Sequence, residues 1–124
     1  MIDPAFAHTF AAEWIGAWNA HDLERILSHY SDDFELRSPL IIERMGIASG
    51  LLCGKAAVRE YWGQGLASTP QLHFDLHEVL VGVDSIVLYY YSRTAGRMVA
   101  EVLTFNSEHR VIRGAALHGK TVAR

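Results

Sequence analysis

Cysteine, proline and long apolar runs are all scarce in this chain, and each scarcity removes a class of protein. The one cysteine, Cys53, leaves no thiol for an internal disulfide and none to complete a Cys-based zinc cluster, so it reads as a small hydrophobic residue. Three prolines, with half of the residues apolar and a fifth charged, exclude a disordered or low-complexity chain. No apolar run approaches the ~20 residues that a membrane helix requires, and residues 1–6 lack the positive stretch of a secretory leader. A soluble, cytoplasmic protein without a membrane partner is the expectation. The net charge of -3 combines 11 basic and 14 acidic residues, with no basic stripe to release counterions from a nucleic acid. At 124 residues the chain is one domain, 1–124, since two halves would bury too little core.

What is present is a run of helix signals followed by a run of strand signals. Asp3 and Pro4 open a first helix, on which Phe6, Phe10, Trp14, Ala17 and Trp18 form one aromatic face. Asp22 caps a short second helix carrying Leu23, Ile26, Leu27 and Tyr30. Ser31-Asp32-Asp33 has turn chemistry, and residues 34–38 alternate as a strand until Pro39. Residues 39–49 lack a period and read as a loop closing over something apolar. Residues 51–53 form a short strand. Gly54 opens a third helix with Val58, Tyr61, Trp62 and Leu66 on one side, ended by Gly63, Gly65 and Pro70.

Strands follow at residues 72–81, 85–93, 97–106 and 110–119, joined by short hairpin connections, so the sheet is expected to be antiparallel with helices packed on one face. Residues 86–91 and 98–105 are apolar on both alternations, whereas a sheet with one wet face alternates cleanly. A second copy of the chain, in a homodimer, is the simplest cover for the other face.

The segments Trp14-Ile15-Gly16-Ala17-Trp18-Asn19-Ala20-His21-Asp22-Leu23, Tyr30-Ser31-Asp32-Asp33 and Gly54-Lys55-Ala56-Ala57-Val58-Arg59-Glu60-Tyr61-Trp62, with the strands over 101–105 and 111–119, resemble the nuclear transport factor 2-like superfamily. Its SnoaL-like and ketosteroid-isomerase-like branch is the nearest. The resemblance covers nearly the whole chain and implies an α+β, cystatin-like fold. In that fold a cone-shaped, curved antiparallel sheet wraps three N-terminal-side helices around an apolar pocket, with frequent homodimers. Activity is not implied, because members range from isomerases, cyclases, hydrolases and dehydratases to plain binding modules. Ketosteroid isomerases use a helix 1 tyrosine, a first-strand base and a late-strand acid. Matched segment by segment, those positions hold Trp14, Ser38 and Leu103, none of which supplies the chemistry, so a typical steroid isomerase is not expected. A cyclase would also need the late-strand acid, unless Glu101 substitutes for it two residues away.

Period 2 puts Val99, Glu101, Leu103 and Phe105 on one strand face, the face the resemblance turns inward. Glu101 is then a desolvated carboxylate suited to act as general acid or base. The structural alternatives are a pairing with Arg37 or Arg113, or an outward orientation after a one-residue slip. His118, sharing a face with Ile112, Gly114 and Ala116, is the second catalytic candidate, as a proton shuttle or as a rim histidine. Trp14, Trp18, Tyr61, Trp62, Leu103 and Phe105 are read as ligand-binding lining for a flat, hydrophobic small molecule, although aromatic stripes also serve packing.

The alternation His73-Phe74-Asp75-Leu76-His77 has metal-ligating types on one side but matches a solvated strand face, and Gly63-Gln64-Gly65 lacks the preceding strand of a phosphate loop. No metal or other cofactor is expected. Two functions stand against each other: a cofactor-independent acid-base enzyme of cyclase, isomerase or hydro-lyase type, and a non-catalytic small-molecule-binding or dimerisation module.

Overall fold

In the computed structural model, which describes residues 1–122, the Asp3 carboxylate accepts from the Ala5 amide at 3.0 Å and starts α1 (Pro4–Asn19). The domain expected over 1–124 ends with Ala123 and Arg124, which lie outside the described residues. Along α1, Phe10, Trp14 and Trp18 alternate with Ala7, Ala11 and Ala17, all buried. The alanines let the helix settle close while the aromatics fill the space beyond.

Asp22 caps α2 (Leu23–Leu27) by accepting from the Arg25 amide. The two helices are tied by Arg25, which donates twice to the Glu13 carboxylate at 2.9 and 2.6 Å, with His29 at 3.2 Å. Those partners, the Arg25 hydrogen bond foremost, hold Glu13 down to about 2. The stabilisation is therefore in place above the carboxylate's ordinary 4.5 and fades as pH falls through about 2. The pair is well exposed, so its contribution is small.

Next come β1 (Tyr30–Arg37), α3 (Pro39–Met45), β2 (Leu51–Cys53), α4 (Lys55–Ser68), β3 (Phe74–Val81), β4 (Ser85–Ser92), β5 (Arg97–Phe105) and β6 (Val111–His118). They form one six-stranded sheet in the order β2-β1-β6-β5-β4-β3. The α+β architecture of helices against a curved sheet is as expected, and the hairpin strands fall within two residues of their expected bounds. Register shifts between Tyr30 and Glu35, Leu76 and Glu78, and Thr104 and Phe105 bend the strands and let the sheet curl around the helices.

Several local expectations are corrected. Tyr30 belongs to β1 rather than to the second helix, and Ser31-Asp32-Asp33 lies within that strand, across its register shift, instead of forming a turn. Residues 39–45 are helix, because the Ser38 hydroxyl accepts from the Leu40 amide, Pro39 fits the first turn and Gly46 closes the end at φ 68°. The helix opened by Gly54 is accordingly the fourth. It continues through Gly63 and Gly65, where a Cβ would crowd Leu23 and the Arg44 guanidinium, and it ends at Ser68. One strand pair, β1 with β6, runs parallel within the otherwise antiparallel sheet. Cys53 is exposed and free. Among the described residues no helix is long and apolar enough to cross a membrane.

The inner sheet face buries Phe34, Leu36, Ile86, Leu88, Tyr90, Val99, Leu103 and Val111 against the helices. The outer face leaves Leu80, Tyr89 and Leu117 exposed beside half-buried Val87, Ala100 and Val102.

The junction after α1 joins the helix layer to the β3 edge. Asn19 accepts from the Phe74 amide at 2.8 Å and donates to the Phe74 carbonyl at 3.0 Å, completing a strand edge, and the His21 ring donates to the Leu72 carbonyl at 2.9 Å. Replacing Asn19 with Ala leaves both Phe74 backbone groups part-buried without partners. Asn19→Ala is expected to destabilise the fold by about 1–3 kcal/mol in chemical denaturation; a loss below ~0.5 kcal/mol would show that water replaces both bonds.

Candidate functional site

The space between the aromatic face of α1, the inner side of α4 and the concave sheet is not filled. A cavity of about 220 Å³ remains. Trp14 and Trp18 from α1, Tyr61 and Trp62 from α4 and Phe74 and Tyr90 from the sheet form its walls. These rings pack as a continuous set: Trp14 stacks on Phe74 at 6.1 Å, Trp18 meets Trp62 edge-on at 5.1 Å, and Phe74 lies 4.4 Å from Tyr90. Offset and edge-on contacts of this kind hold aromatic walls rigid.

Glu101 enters this wall from β5, on the inward alternation with Val99 and Leu103. The Tyr90 hydroxyl donates to its carboxylate at 3.0 Å. Neither Arg37 nor Arg113 reaches it; both line a separate shallow groove with Glu35 and Val102. Burial therefore dominates and pushes Glu101 up to about 7, against the opposing pull of the Tyr90 hydrogen bond. Burial and the nearby Glu101 charge push Tyr90 well above its ordinary value, so it stays a neutral donor. Behind the wall, Trp14 Nε1 donates to the Tyr30 hydroxyl at 2.9 Å, and burial followed by the Glu101 charge raises Tyr30 as well.

His118 also lines the cavity, one strand over on β6. Glu101 pairs with Ala116 and Val99 with His118, which makes Glu101 and His118 diagonal neighbours about 7–8 Å apart. That distance is between backbones, as it is for Tyr90, the diagonal neighbour of Glu101 on the other side, whose long side chain does reach the carboxylate. Burial, then the Arg97 charge, lowers His118 below its ordinary value, with Glu43 opposing, so the imidazole is neutral at pH 7. Tyr61 is raised by burial, while the Arg44 charge and a hydrogen bond from Ser38 resist that rise. Ser38 thus serves as the α3 cap and as a polar point on the cavity wall.

Of the expected site residues, Glu101, His118, Trp14, Trp18, Tyr61 and Trp62 all line this one cavity, whereas Leu103 and Phe105 do not. Leu103 is fully buried against Gly114, and Phe105 packs edge-on against Phe6 and Phe10 beyond the cavity's closed end. The inward face of β5 is therefore cavity wall at one end and solid core at the other. Sequence reasoning passed over Tyr90, Arg44 and Arg97. A buried tyrosine requires a hydrogen-bond partner, and the hairpin pairing of β4 with β5 places Tyr90 diagonal to Glu101; that pairing was the available signal. Among the described residues no group of three or more His, Cys, Asp or Glu side chains is placed to hold a metal ion. His73 and Asp75 instead lie 3.6 Å apart, with Asp75 held by Arg93.

Comparison with known proteins identifies the class to which this curved sheet and its helices belong. The SnoaL-like domain family matches residues 11–118, and the chain belongs to that family. A SnoaL-like protein of unknown function from Burkholderia thailandensis E264 is 45% identical, with 96% of this chain covering 98% of that one at a TM-score of 0.93. SalBIII, an epoxide hydrolase/cyclase-like enzyme with a role in pyran ring formation in the polyether salinomycin, shares the fold at a TM-score of 0.74 and 14% identity, over 96% of this chain and 95% of its own. A protein of unknown function with a cystatin-like fold from Methylobium petroleophilum PM1 gives a TM-score of 0.76 at 11% identity, over 98% of this chain and 81% of that one. No curated protein matches significantly.

The Tyr90 hydrogen bond favours the charged form of Glu101, so its removal has a fixed direction. A carbon-13 NMR titration of the glutamate carboxyls is expected to place Glu101 near 7, and Tyr90→Phe is expected to move that midpoint higher. A wild-type midpoint in the ordinary range near 4.5, or a downward move in Tyr90→Phe, would show that the hydrogen bond and desolvation are misread.

Proposed function

We propose that this SnoaL-like protein is a cofactor-independent acid-base enzyme acting on a small, hydrophobic, cyclic and oxygenated molecule, with Glu101 as the group that takes or gives the proton. The observation that carries the reading is a carboxylate in a cavity wall whose one hydrogen bond among the described residues comes from a neutral tyrosine. A purely structural buried acid is normally paired with a cation. A carboxyl poised near neutrality is both a competent base and a competent acid, the condition under which general acid-base catalysis is most effective. The volume of about 220 Å³ falls below the roughly 300–1,000 Å³ of drug-sized ligand sites, which favours one or two rings. The aromatic walls suit a flat ring, and the neutral His118 sits where it can accept or return a proton across the ligand. Cyclisation, isomerisation and hydro-lyase chemistry all use such a proton transfer. The epoxide hydrolase/cyclase-like character of SalBIII is compatible with this range, although only the fold is shared.

The same reading includes a homodimer. Exposed Leu80, Tyr89 and Leu117 with Val87, Ala100 and Val102 make an apolar outer sheet face that a second copy would cover. Sedimentation at micromolar concentration is expected to give twice the 13.9 kDa chain mass, and a clean monomer would remove the dimer from the proposal.

Proton abstraction can be tested without the natural substrate. The ketone 2-tetralone is bicyclic, flat and carries acidic protons beside its carbonyl. In D₂O near neutrality the wild-type protein is expected to accelerate their exchange over buffer, followed by proton NMR. Glu101→Gln is expected to lose about 10²–10⁴-fold of that acceleration while binding the ketone within a few fold of wild type. Absence of acceleration, or acceleration that survives Glu101→Gln, would leave a binding module as the better description.

A further inference from the structure

The end of the cavity away from Glu101 carries charge of one sign. Arg97, at the start of β5, and Arg44, in the last turn of α3, both line it, and Glu101 is the one acidic residue in the lining. Three arginines elsewhere pair with acids, Arg25 with Glu13, Arg59 with Glu24 and Arg93 with Asp75, each through two hydrogen bonds, while Arg110 caps the Ser28 carbonyl and Arg37 and Arg113 lie along a separate groove. Among the described residues Arg97 and Arg44 have no ion pair. Arg97 Nε is buried without a hydrogen-bond partner, and its guanidinium makes one long contact of 3.4 Å to Thr121. A buried guanidinium nitrogen without an acceptor is costly unless something else supplies one. Arg44 reaches over α4, its guanidinium resting where a Gly65 side chain would otherwise stand. The acid adjacent to Arg44 in sequence, Glu43, is exposed and outside the lining, and its charge is felt at His118 and Tyr61.

We propose that the cavity takes a cyclic carboxylic acid as its anion, the carboxylate held by Arg97 and Arg44 and the ring laid against the tryptophan wall toward Glu101. This rests on the reading of the cavity as a substrate site and names the class of substrate. A guanidinium offers parallel donors to both carboxylate oxygens, so two arginines select a carboxylate over a neutral amide of the same shape. The spacing agrees: Arg97 and Glu101 are four residues apart on one strand, about 13 Å between backbones, a distance that two long side chains and a one- or two-ring acid can span together. With the acid anchored at one end, Glu101 faces the far ring atoms instead of the carboxylate, and like charges stay apart.

The probes are 2-naphthoate, ionised at pH 7.5, and 2-naphthamide, its neutral counterpart, each titrated calorimetrically into the full chain. The naphthoate is expected to bind at least about tenfold more tightly than the amide. Arg97→Met is expected to remove most of that preference while leaving the amide within about twofold. Arg44→Gln, on an exposed helix turn where folding is not at stake, is expected to reduce the preference in the same direction. Binding of the amide as tight as that of the acid, or a preference intact in both variants, would overturn the carboxylate assignment and leave the substrate-site reading standing. Failure of both probes to bind would overturn the two together.

Discussion

A carboxylate set among aromatic rings, with a tyrosine hydroxyl as its hydrogen-bond partner, is the constraint to which the rest of the site answers. Desolvation of Glu101 disfavours its charge, and the Tyr90 bond offsets part of that cost without cancelling it. The balance holds because aromatic rings crowd the partly exposed carboxylate and because no arginine of the sheet pairs with it among the described residues. Arg37 and Arg113 lie along the outer groove, and Arg97 stands four residues up the strand. Had any of them reached Glu101, the group would be an ordinary ionised carboxylate, structurally useful and chemically quiet.

The curved sheet makes this arrangement possible. Bulges in β1, in β3 and between β5 and β6 bend the strands so that one face of β5 serves two purposes. At Phe105 and Leu103 it closes onto α1 and the core, and at Glu101 and Val99 it opens onto the cavity. The Asn19 clamp on the Phe74 backbone fixes the β3 edge against the end of α1, and with it the distance between the tryptophan wall and the strands. Gly65 of α4 leaves room for the Arg44 guanidinium at the cavity wall.

Much of this was legible in the order of residues. Asp3-Pro4 and Asp22 mark helix starts through their side-chain chemistry, and the four hairpin strands announce themselves by alternation and turns. Period 2 groups Glu101 with Val99 and Leu103, and the resemblance turns that face inward. The region from Tyr30 to Gly46 misled for identifiable reasons. Three polar residues in a row mimic a turn when a register shift lets them run through a strand. Ser38, Pro39 and Gly46 are the start and stop signals of a helix so short that its apolar period never repeats. Leu103 and Phe105 share the face of Glu101 but lie in the core, because strand alternation reports which face a residue is on, not how far along that face the core ends. Arg44 and Arg97 escaped notice because their meaning lies in an absence of partners, which pairing across the fold alone reveals.

The central claim, that Glu101 is a largely desolvated acid without a compensating cation among the described residues, is tested most directly by comparing the stability of wild type and Glu101→Gln across pH. An acid raised from 4.5 to about 7 leaves the fold unaffected below 4.5 and destabilises it progressively as pH rises through about 7, since the folded state must then give up a proton that it holds more tightly than the unfolded chain. Glutamine keeps the shape and can still accept from Tyr90. Thermal and urea denaturation are expected to find the two proteins equally stable at pH 4. At pH 8 Glu101→Gln is expected to be the more stable, with about 3 kcal/mol as the upper bound. A variant clearly less stable than wild type at pH 8 would mean that Glu101 is held as a paired anion, and would contradict the account.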